Sequence, residues 1–282
     1  MKRYIGKLLL KAFVAAMTVT SFFGVFITLV ENEIKWQIKI WIVIGVFAIS
    51  FLAVFLVLFG RGRRKISEFN KIEINAMYGD ILKVRRWRRK ARKPVVVIHV
   101  NSAFDIDVED DLNVPNPIVS SDTLHGQWVN KIISKKIMTL DQLRKEIEKA
   151  IKIAELPIDK QLPNKSGNKT NYETGSTIFI ETENCTYMLF ALSEFDEKNH
   201  VVEKTKTEYC NLITHLINET SRCQGRTVYI PIMGTGLSMF GISPIDALDT
   251  IKGTAEKEKL HLKSSINIVV PYDYAKRASI YD

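Results

Sequence analysis

The sequence predicts an α/β fold preceded by two membrane-spanning helices. Two apolar runs occupy about the first sixty of the 282 residues, and strand and helix patterns alternate through the remainder. A hairpin pattern interrupts this alternation, which indicates a mixed α/β sandwich. We therefore expect a membrane hairpin over residues 1–65 and a ligand-binding domain over residues 66–282.

The first part contains two runs that are long enough to cross a hydrocarbon core of roughly 30 Å as helices. Ala12–Val30 is uncharged, and Trp36–Phe59 is broken only by two polar residues near its start. Because a short polar turn separates them, we predict an antiparallel hairpin with helices at about 8–30 and 36–59. A cleaved signal peptide is the competing interpretation of the first run, but a persuasive small-residue cleavage site is missing and a second apolar run follows.

Positive charge flanks the hairpin on both outer sides, whereas the turn carries two glutamates. The flanking basic residues are Lys2, Arg3, Lys7, Lys11, Arg61, Arg63, Arg64 and Lys65. By the positive-inside rule, both termini and the C-terminal domain face the cytoplasm, so the chain is predicted to be a multi-pass membrane protein.

The net charge limits the classes of partner. It is +9 at pH 7, and much of the excess lies near the apolar runs. Such clustering suits the anionic lipids of a cytoplasmic leaflet better than a nucleic-acid groove. A further basic stretch covers residues 85–93, and it is either a contact for lipid headgroups or another polyanion, or a solvated face. No finger motif or stacking platform accompanies it, so we expect no nucleic-acid partner.

The three cysteines show no CxxC spacing, which argues against a zinc site or a disulfide framework and favours a reducing compartment. An acidic run over residues 105–111 lacks the glycine and the spacing of a calcium loop. We interpret it as a solvated loop and predict no metal site.

In the second part, periodicity and capping signals define the elements. The predicted strands are 71–76, 95–100, 176–181, 186–192, 227–233 and 266–270. The predicted helices begin near Gln127 and cover 140–154, 202–222 and 244–260. Asp141 is the expected N-cap of the second helix, and Ser243 caps the last one with a proline at its first position. The polar segment 157–174 is predicted to be a surface loop.

Two strand ends carry the residues of chemical interest. The strand that ends at Met233 runs into Gly234-Thr235-Gly236-Leu237-Ser238-Met239-Phe240-Gly241, a loop that can present bare backbone N–H groups to a phosphate. The buried strand Val95–Val100 is followed by Asn101-Ser102-Ala103-Phe104-Asp105, at the position where open α/β sheets bind ligands. His99 lies within that strand, and we interpret it as a satisfied core residue.

Three segments resemble the signature loops of the macrodomain family, the ADP-ribose-binding α/β/α module. Gly79-Asp80-Ile81 resembles the family segment in which an Asp carboxylate and the next N–H contact adenine. Val100-Asn101-Ser102-Ala103 is similar to the opening of the distal-ribose loop, and Gly234–Gly241 matches the loop that holds the diphosphate, with Phe240 packing on the ligand. The resemblance runs from about residue 70 to the C-terminus and implies a three-layer α/β/α sandwich with a mixed sheet.

The resemblance implies a set of ligand contacts drawn from four loops. These residues are Asp80, Ile81, Asn101, Ser102, Asp105, Leu124, His125, Gly126, Gly234, Thr235, Gly236, Leu237, Ser238, Met239, Phe240 and Gly241. Asp105 is the candidate contact for a cationic amino-acid group of the ligand, with a solvated carboxylate as the alternative.

Two departures from hydrolytic macrodomains bear on activity. Phe104 occupies the position where those enzymes carry the Asn that orients ribose and water, and Thr123-Leu124-His125-Gly126 stands in place of their glycine triplet. A site without those polar groups has lost its means of positioning water. We therefore expect binding without catalysis, no catalytic residue and no cofactor.

A macrodomain behind a two-helix hairpin is similar to the membrane effectors of type II Thoeris anti-phage defence. That resemblance implies that a TIR-domain enzyme makes an ADP-ribose-derived signal such as histidine-ADP-ribose, which the macrodomain binds. It further implies that the effector forms a homo-oligomer and compromises the bacterial inner membrane. Two alternatives remain open: a membrane-tethered ADP-ribosyl hydrolase with His125 as its candidate base, and a non-catalytic ADP-ribose reader scaffold.

Overall fold

The computed structural model describes residues 2–29, 35–60, 62–84, 92–109, 117–236, 240–275 and 277–281. The chain divides into two compact units, Met1–Arg63 with Tyr281–Asp282, and Arg64–Ile280.

The first unit is a pair of packed helices. They are α1 (Lys2–Leu29) and α2 (Trp36–Gly60). Ala12 and Ala16 of α1 are fully buried, and the ring of Phe13 meets that of Phe47 edge-on at 5.7 Å. Small side chains at this contact let the two helices approach closely. The turn predicted between them, with its two glutamates, lies outside the described residues.

Within the described residues, one segment is long and apolar enough to cross a membrane. It is Trp36–Leu56 of α2, with a mean hydropathy of 2.5 and its side chains outside any protein core. The apolar stretch of α1, Ala12–Gly24, is shorter. By length and composition α2 therefore meets the requirement for a span, whereas a crossing by α1 remains a prediction.

The second unit is built on a mixed seven-stranded sheet. The strands of this unit are β1 (Arg63–Phe69), β2 (Ile72–Tyr78), β3 (Val95–Asn101), β4 (Val108–Glu109), β5 (Val119–Ser120), β6 (Ile158–Gln161), β7 (Thr170–Tyr172), β8 (Thr177–Glu181), β9 (Thr186–Ser193), β10 (Thr227–Pro231) and β11 (Ser265–Val270). The large sheet has the order β1-β2-β11-β10-β3-β9-β8. Strands β2, β11, β10, β3 and β9 run parallel, and β8 pairs antiparallel with β9 as the hairpin pattern predicts.

Helices cover both faces of this sheet. They are α3 (Leu124–Ser134), α4 (Leu140–Ala154), α5 (Lys206–Glu219) and α6 (Pro244–Lys257). On one face, Trp128 of α3 and Leu143 of α4 join Ile98 of β3 in a single apolar core. Val95 and Val97 point to the opposite face of β3 and are fully buried too, which is why this strand reads as a continuous apolar run. The predicted α/β class with a mixed sheet is confirmed.

Strand β1 and two short strand pairs, β4 with β5 and β6 with β7, are missing from the sequence prediction. Strand β1 lies in the basic segment that was interpreted only as membrane-flanking charge, and it joins β2 through Asn70 and Lys71, both with positive φ as in a two-residue hairpin turn. The predicted loop 157–174 contains the antiparallel pair β6 and β7. Strands β1, β6 and β7 are rich in charged and polar residues, so apolar periodicity does not reveal them.

Helix starts also differ from the predictions, because threonine hydroxyls act as caps. Helix α3 begins three residues before Gln127, with Thr123 as its N-cap. The N-cap of α4 is Thr139, not Asp141: its hydroxyl accepts from the N–H of Gln142, whose side chain accepts in return from the N–H of Thr139. Helix α5 is likewise shorter than the predicted span 202–222.

Candidate ligand-binding site

The predicted loops leave the same edge of the sheet. Strands β2, β11, β10 and β3 are parallel neighbours, so their carboxyl ends lie side by side. Three strand spacings of about 4.8 Å separate β2 from β3, so the row of loops spans roughly 14 Å. It begins with Asp80, continues through Gly234, and ends at Asn101. The carboxyl ends of parallel strands are the edge at which open α/β sheets bind ligands.

At the β2 end of the row, Asp80 caps a short 3₁₀ turn at residues 81–83. Its carboxylate accepts from the N–H of Leu82 at 2.9 Å and lies 3.3 Å from the ammonium of Lys83. The side chain stays partly exposed, so it keeps room for a further donor. The side chain of Ile81 is buried beneath it.

An exposed aromatic residue near this end was not predicted as a ligand contact from the sequence. Tyr272 follows β11 at the same edge, is 71% exposed and stacks on Tyr78 with ring centroids 6.4 Å apart. An exposed ring face can stack on a nucleobase. The signal that could have found it is its position just after the last parallel strand.

In the glycine loop, Gly234 is held by packing. Its φ is +80°, and a Cβ at this position would lie 2.7 Å from Cε2 of Tyr209. The Tyr209 hydroxyl donates to the carbonyl of Met233 at 3.1 Å, and its ring lies 5.3 Å from that of Phe240. Phe240 is therefore buried against the protein, and burial raises the pKa of Tyr209.

The open part of the glycine loop is at Gly236. This residue is exposed, and a Cβ added there would meet nothing within 4 Å. Thr235 before it is half-buried, and Gly241 after it has a φ of +62°. The predicted contacts Leu237, Ser238 and Met239 lie outside the described residues.

At the β3 end of the row, the amide of Asn101 is already engaged. Its Nδ2 donates to Oδ2 of Asp105 at 3.1 Å, and its Oδ1 accepts from the backbone N–H of Asp105 at the same distance. Both ends of the amide thus close the loop on itself, and a contact of Asn101 with a ligand stays a prediction. Ser102 is fully buried, and its Oγ has no hydrogen-bond partner among the residues that the structure describes.

Phe104 shapes the same loop. It is buried, has a φ of +51°, and its ring meets that of Tyr172 edge-on at 5.9 Å. Positive φ is rare for a bulky residue and has to be maintained by the surrounding packing. An apolar ring thus occupies this turn of the loop after β3.

The partner of Asp105 is a lysine of this chain. The Asp105 carboxylate accepts from Nζ of Lys165 at 2.8 Å and from the N–H of Asn168 at 2.7 Å. Burial raises the pKa of Asp105, and the Lys165 ammonium opposes that rise. The interpretation of residues 105–111 as a solvated loop is therefore wrong at Asp105, and the carboxylate is not free for a cationic ligand group. The cause is a residue sixty positions away, which the sequence does not link to Asp105.

The start of α3 forms another wall. The N–H of Gly126 donates to Oγ1 of the cap Thr123 at 3.1 Å, and a Cβ at Gly126 would collide with the carbonyl oxygen of Ser120. Only glycine can be accommodated this close to the carbonyl of Ser120. The N–H of Gly126 already donates to Thr123, so it is not free to bind a ligand. Leu124, the first residue of the helix, is half-buried.

Two histidines behind this wall are uncharged at neutral pH. Burial lowers the pKa of His125 to about 3, with nearby His99 adding to the effect, and burial lowers the pKa of His99 to about 4. The backbone of Asp105 hydrogen-bonds His125. Nε2 of His125 and Nδ1 of His99 have no partner in the described part of the chain, so the prediction of a satisfied His99 is wrong.

The arrangement offers N–H donors, a partly exposed carboxylate and small polar groups along one edge. No group of His, Cys, Asp and Glu that could hold a metal ion occurs among the described residues. A mixed, mainly parallel sheet between helix layers, with these loops at the carboxyl edge of its parallel strands, defines an α/β domain of the macrodomain class.

Residues 74–271 match the family described as the Macro domain of Thoeris protein ThsA. Since the match covers well over half of the chain, the protein belongs to this Thoeris ThsA macrodomain family. The chain is 26% identical over 225 residues to Thoeris protein ThsA of Bacillus amyloliquefaciens (strain Y2), covering 79% of this chain and 68% of that protein.

Solved structures of an Oceanobacillus iheyensis macrodomain are also similar. A variant solved with ADPR aligns with a TM-score of 0.46 and 13% identity, covering 78% of this chain and 94% of that one. A second variant aligns with a TM-score of 0.47 and 12% identity, over 78% and 89% of the two chains.

Proposed function

We propose that this chain is a membrane-anchored effector of bacterial anti-phage defence, gated by an ADP-ribose-derived signal nucleotide. A TIR-domain enzyme supplies the signal, for which histidine-ADP-ribose is the candidate. The family match over residues 74–271 carries the proposal, and the apolar segment Trp36–Leu56 on the same chain supports the membrane part.

The order of the loops supports one direction for the ligand. Adenine lies at Asp80 and the N–H of Ile81, and the diphosphate accepts from N–H groups of the loop Gly234–Gly241. The distal ribose and its substituent then lie near Ser102 and the start of α3. The exposed, unobstructed position of Gly236 supports close approach of a phosphate to the backbone.

The distal end requires a revision of the contacts. Because Asn101 and Asp105 are hydrogen-bonded to each other, we assign them a structural role behind the ligand contacts. Ser102, Leu124 and His125 remain the candidate contacts. A cationic substituent of the ligand therefore needs an anionic partner other than Asp105.

The same geometry supports binding without turnover, in a family that comprises catalytic and non-catalytic members. Phe104 is apolar where a hydrolase needs a polar group to hold water. His125, with a pKa of about 3, is a weak general base at neutral pH.

In the membrane, α1 and α2 form two spans with both termini in the cytoplasm, and basic flanking residues contact anionic lipids. Ligand binding drives homo-oligomer formation and thereby compromises the inner membrane. This requires that the ligand bind the assembled state more tightly than the free one. A distal substituent that contacts two subunits would supply that difference.

The test uses the full-length chain in lipid nanodiscs, titrated calorimetrically with ADP-ribose and with histidine-ADP-ribose. Mass spectrometry of the recovered ligand reports turnover, and dye release from liposomes reports membrane damage. We expect tight binding of the conjugate, weaker binding of ADP-ribose, no turnover, and dye release only with the conjugate.

The other results separate the alternatives. Turnover of either ligand would establish a tethered hydrolase. Binding without dye release or change of oligomeric state would favour a reader scaffold. Absence of binding to both would remove the phosphate-loop assignment.

A further inference from the structure

A large groove rich in lysine lies beside the segment that follows Asp80 and Ile81. Its cavity volume is about 1050 Å³, and five lysines line it: Lys83, Lys93, Lys131, Lys135 and Lys136. Two glutamates, Glu181 and Glu183, are the acidic side chains in its lining. We call this feature the lysine groove, and its lining carries an excess of positive charge.

The lysine groove adjoins the candidate nucleotide site at one end, because Leu82 and Lys83 in its lining follow Asp80 directly, but most of its walls lie elsewhere. Its walls include Lys93, which precedes β3, and Cys185 and Tyr187 at the start of β9. Because β3 and β9 are parallel, these residues lie at the amino edge of the sheet. The loops at Asn101 and Gly234 leave the opposite, carboxyl edge.

Lys131 is the central observation. This half-buried residue of α3 donates from Nζ to the carbonyl of Leu82 at 2.5 Å and to the hydroxyl of Tyr187 at 3.0 Å. Both acceptors are neutral, and no carboxylate of the described residues lies within ion-pair distance. Burial lowers the pKa of Lys131, although Cys185 and the more distant Asp80 oppose that shift.

The lysines at the rim of the groove add to its excess of positive charge. Nζ of Lys93 lies 3.7 Å from a carboxylate oxygen of Glu181, and Lys83 forms an ion pair with Asp80 outside the groove. Lys135 and Lys136 are exposed and form no ion pair in the described part of the chain. Cations at a helix C-terminus complement the helix dipole, which accounts for Lys135. It does not account for Lys131, which bonds Leu82 and not the last turn of its own helix.

Partly desolvated like charges that share a cavity repel each other unless an anion neutralises them. Compact ammonium groups are suited to phosphate, whose oxygens accept from several donors at once. We propose that the lysine groove binds a phosphate-bearing anion, with its phosphate between Lys131 and the rim pair Lys135 and Lys136.

The test is lysine acylation of the full-length chain in phosphatidylcholine nanodiscs, read residue by residue by mass spectrometry. One arm adds inorganic tripolyphosphate, and another replaces part of the lipid with phosphatidylglycerol. Acylation of Lys135 and Lys136 is expected to slow saturably, on the order of tenfold at a ligand concentration ten times Kd. The exposed Lys257 and Lys259 on the α6 side serve as controls and should not change.

The arms distinguish the sources of phosphate. Protection by tripolyphosphate identifies a soluble anion, and protection only with phosphatidylglycerol identifies a lipid headgroup. Lys131→Met should abolish the protection, and Lys131→Arg should retain much of it. If Lys131→Met misfolds, the exposed double variant Lys135→Ser with Lys136→Ser, read at Lys93 and Lys131, replaces it.

Two results would overturn the proposal: no protection in either arm, or equal protection of Lys257 and Lys259. ADP-ribose binding is measured on the same samples. The proposal for the lysine groove and the proposal for the nucleotide site can thus be refuted independently.

Discussion

The carboxylate of Asp105 and the ammonium of Lys165 lie 2.8 Å apart, and both side chains are completely buried. This ion pair ties the loop after β3 to the segment between β6 and β7. Asn168 reinforces the connection, because its Nδ2 donates to the carbonyl of Ala103 at 2.8 Å. The conformation of the loop after β3 therefore depends on a segment that lies about sixty residues further along the chain.

Lys165→Met should destabilise the protein strongly. The substitution leaves the Asp105 carboxylate buried without its counter-ion, and removal of one partner of a buried pair costs about 3–5 kcal/mol. Thermal unfolding of the full-length chain, followed by intrinsic fluorescence, measures the effect. Lys145→Met, at an exposed position on α4, is the matched control and should stay within about 0.5 kcal/mol of the parent. A Lys165→Met protein as stable as the control would contradict the buried pair.

His125 should make folding stability depend on pH. Its pKa is about 3 in the folded protein and about 6.5 when unfolded, so the unfolded state binds more protons between these values. Stability from this group is present above pH 6.5 and is lost as the pH falls, by up to about 1.4 kcal/mol per pH unit.

His125→Asn keeps a donor near the position of Nδ1 and removes the titration. The variant should lose less stability than the parent between pH 6.5 and pH 4.5, measured by thermal unfolding at each pH. His261→Asn, at an exposed position, is the control and should follow the parent. Identical curves for His125→Asn and the parent would refute the assignment.

Two glycines of the phosphate loop should respond differently to substitution. Gly234→Ala brings a Cβ against Tyr209 at a φ of +80° and should unfold at a lower temperature. Gly236→Glu meets open space, so it should fold normally yet abolish nucleotide binding, because its carboxylate repels the diphosphate. Gly236→Ala is the control for binding. Unchanged affinity of a folded Gly236→Glu protein would remove this loop from the site.

The N-cap of α4 can be tested directly. Thr139→Ala should cost about 1 kcal/mol by removing the acceptor of the Gln142 N–H. Asp141→Ala loses only a first-turn charge that favours the helix dipole, which is worth about 0.3–1 kcal/mol and is screened by salt. Unfolding free energies measured at high salt separate the two effects. A larger loss for Asp141→Ala under those conditions would restore Asp141 as the cap.

Features that depend on local chain chemistry were predictable from the sequence. The apolar runs of β3 and α2, the hairpin of β8 and β9, and the proline-opened α6 each follow from residues within one element. The order of the three signature loops also follows from the chain, because parallel strands bring their carboxyl ends to one edge. These patterns are determined by dihedral preferences, capping and burial over a few neighbouring residues.

Features made by residues far apart in the chain appeared only in the tertiary structure. The local sequence around Asp105 does not distinguish a solvated carboxylate from a paired one. Lys165 lies in a polar segment and resembles an ordinary surface lysine. The lysine groove likewise assembles residues from before β3, from α3 and from the β8–β9 turn. The sequence by itself determined the central strands of the large sheet, the helices that cover it and the edge at which the signature loops meet. The tertiary structure decided which polar groups at that edge are free, because hydrogen bonds between distant segments depend on packing and not on chain order.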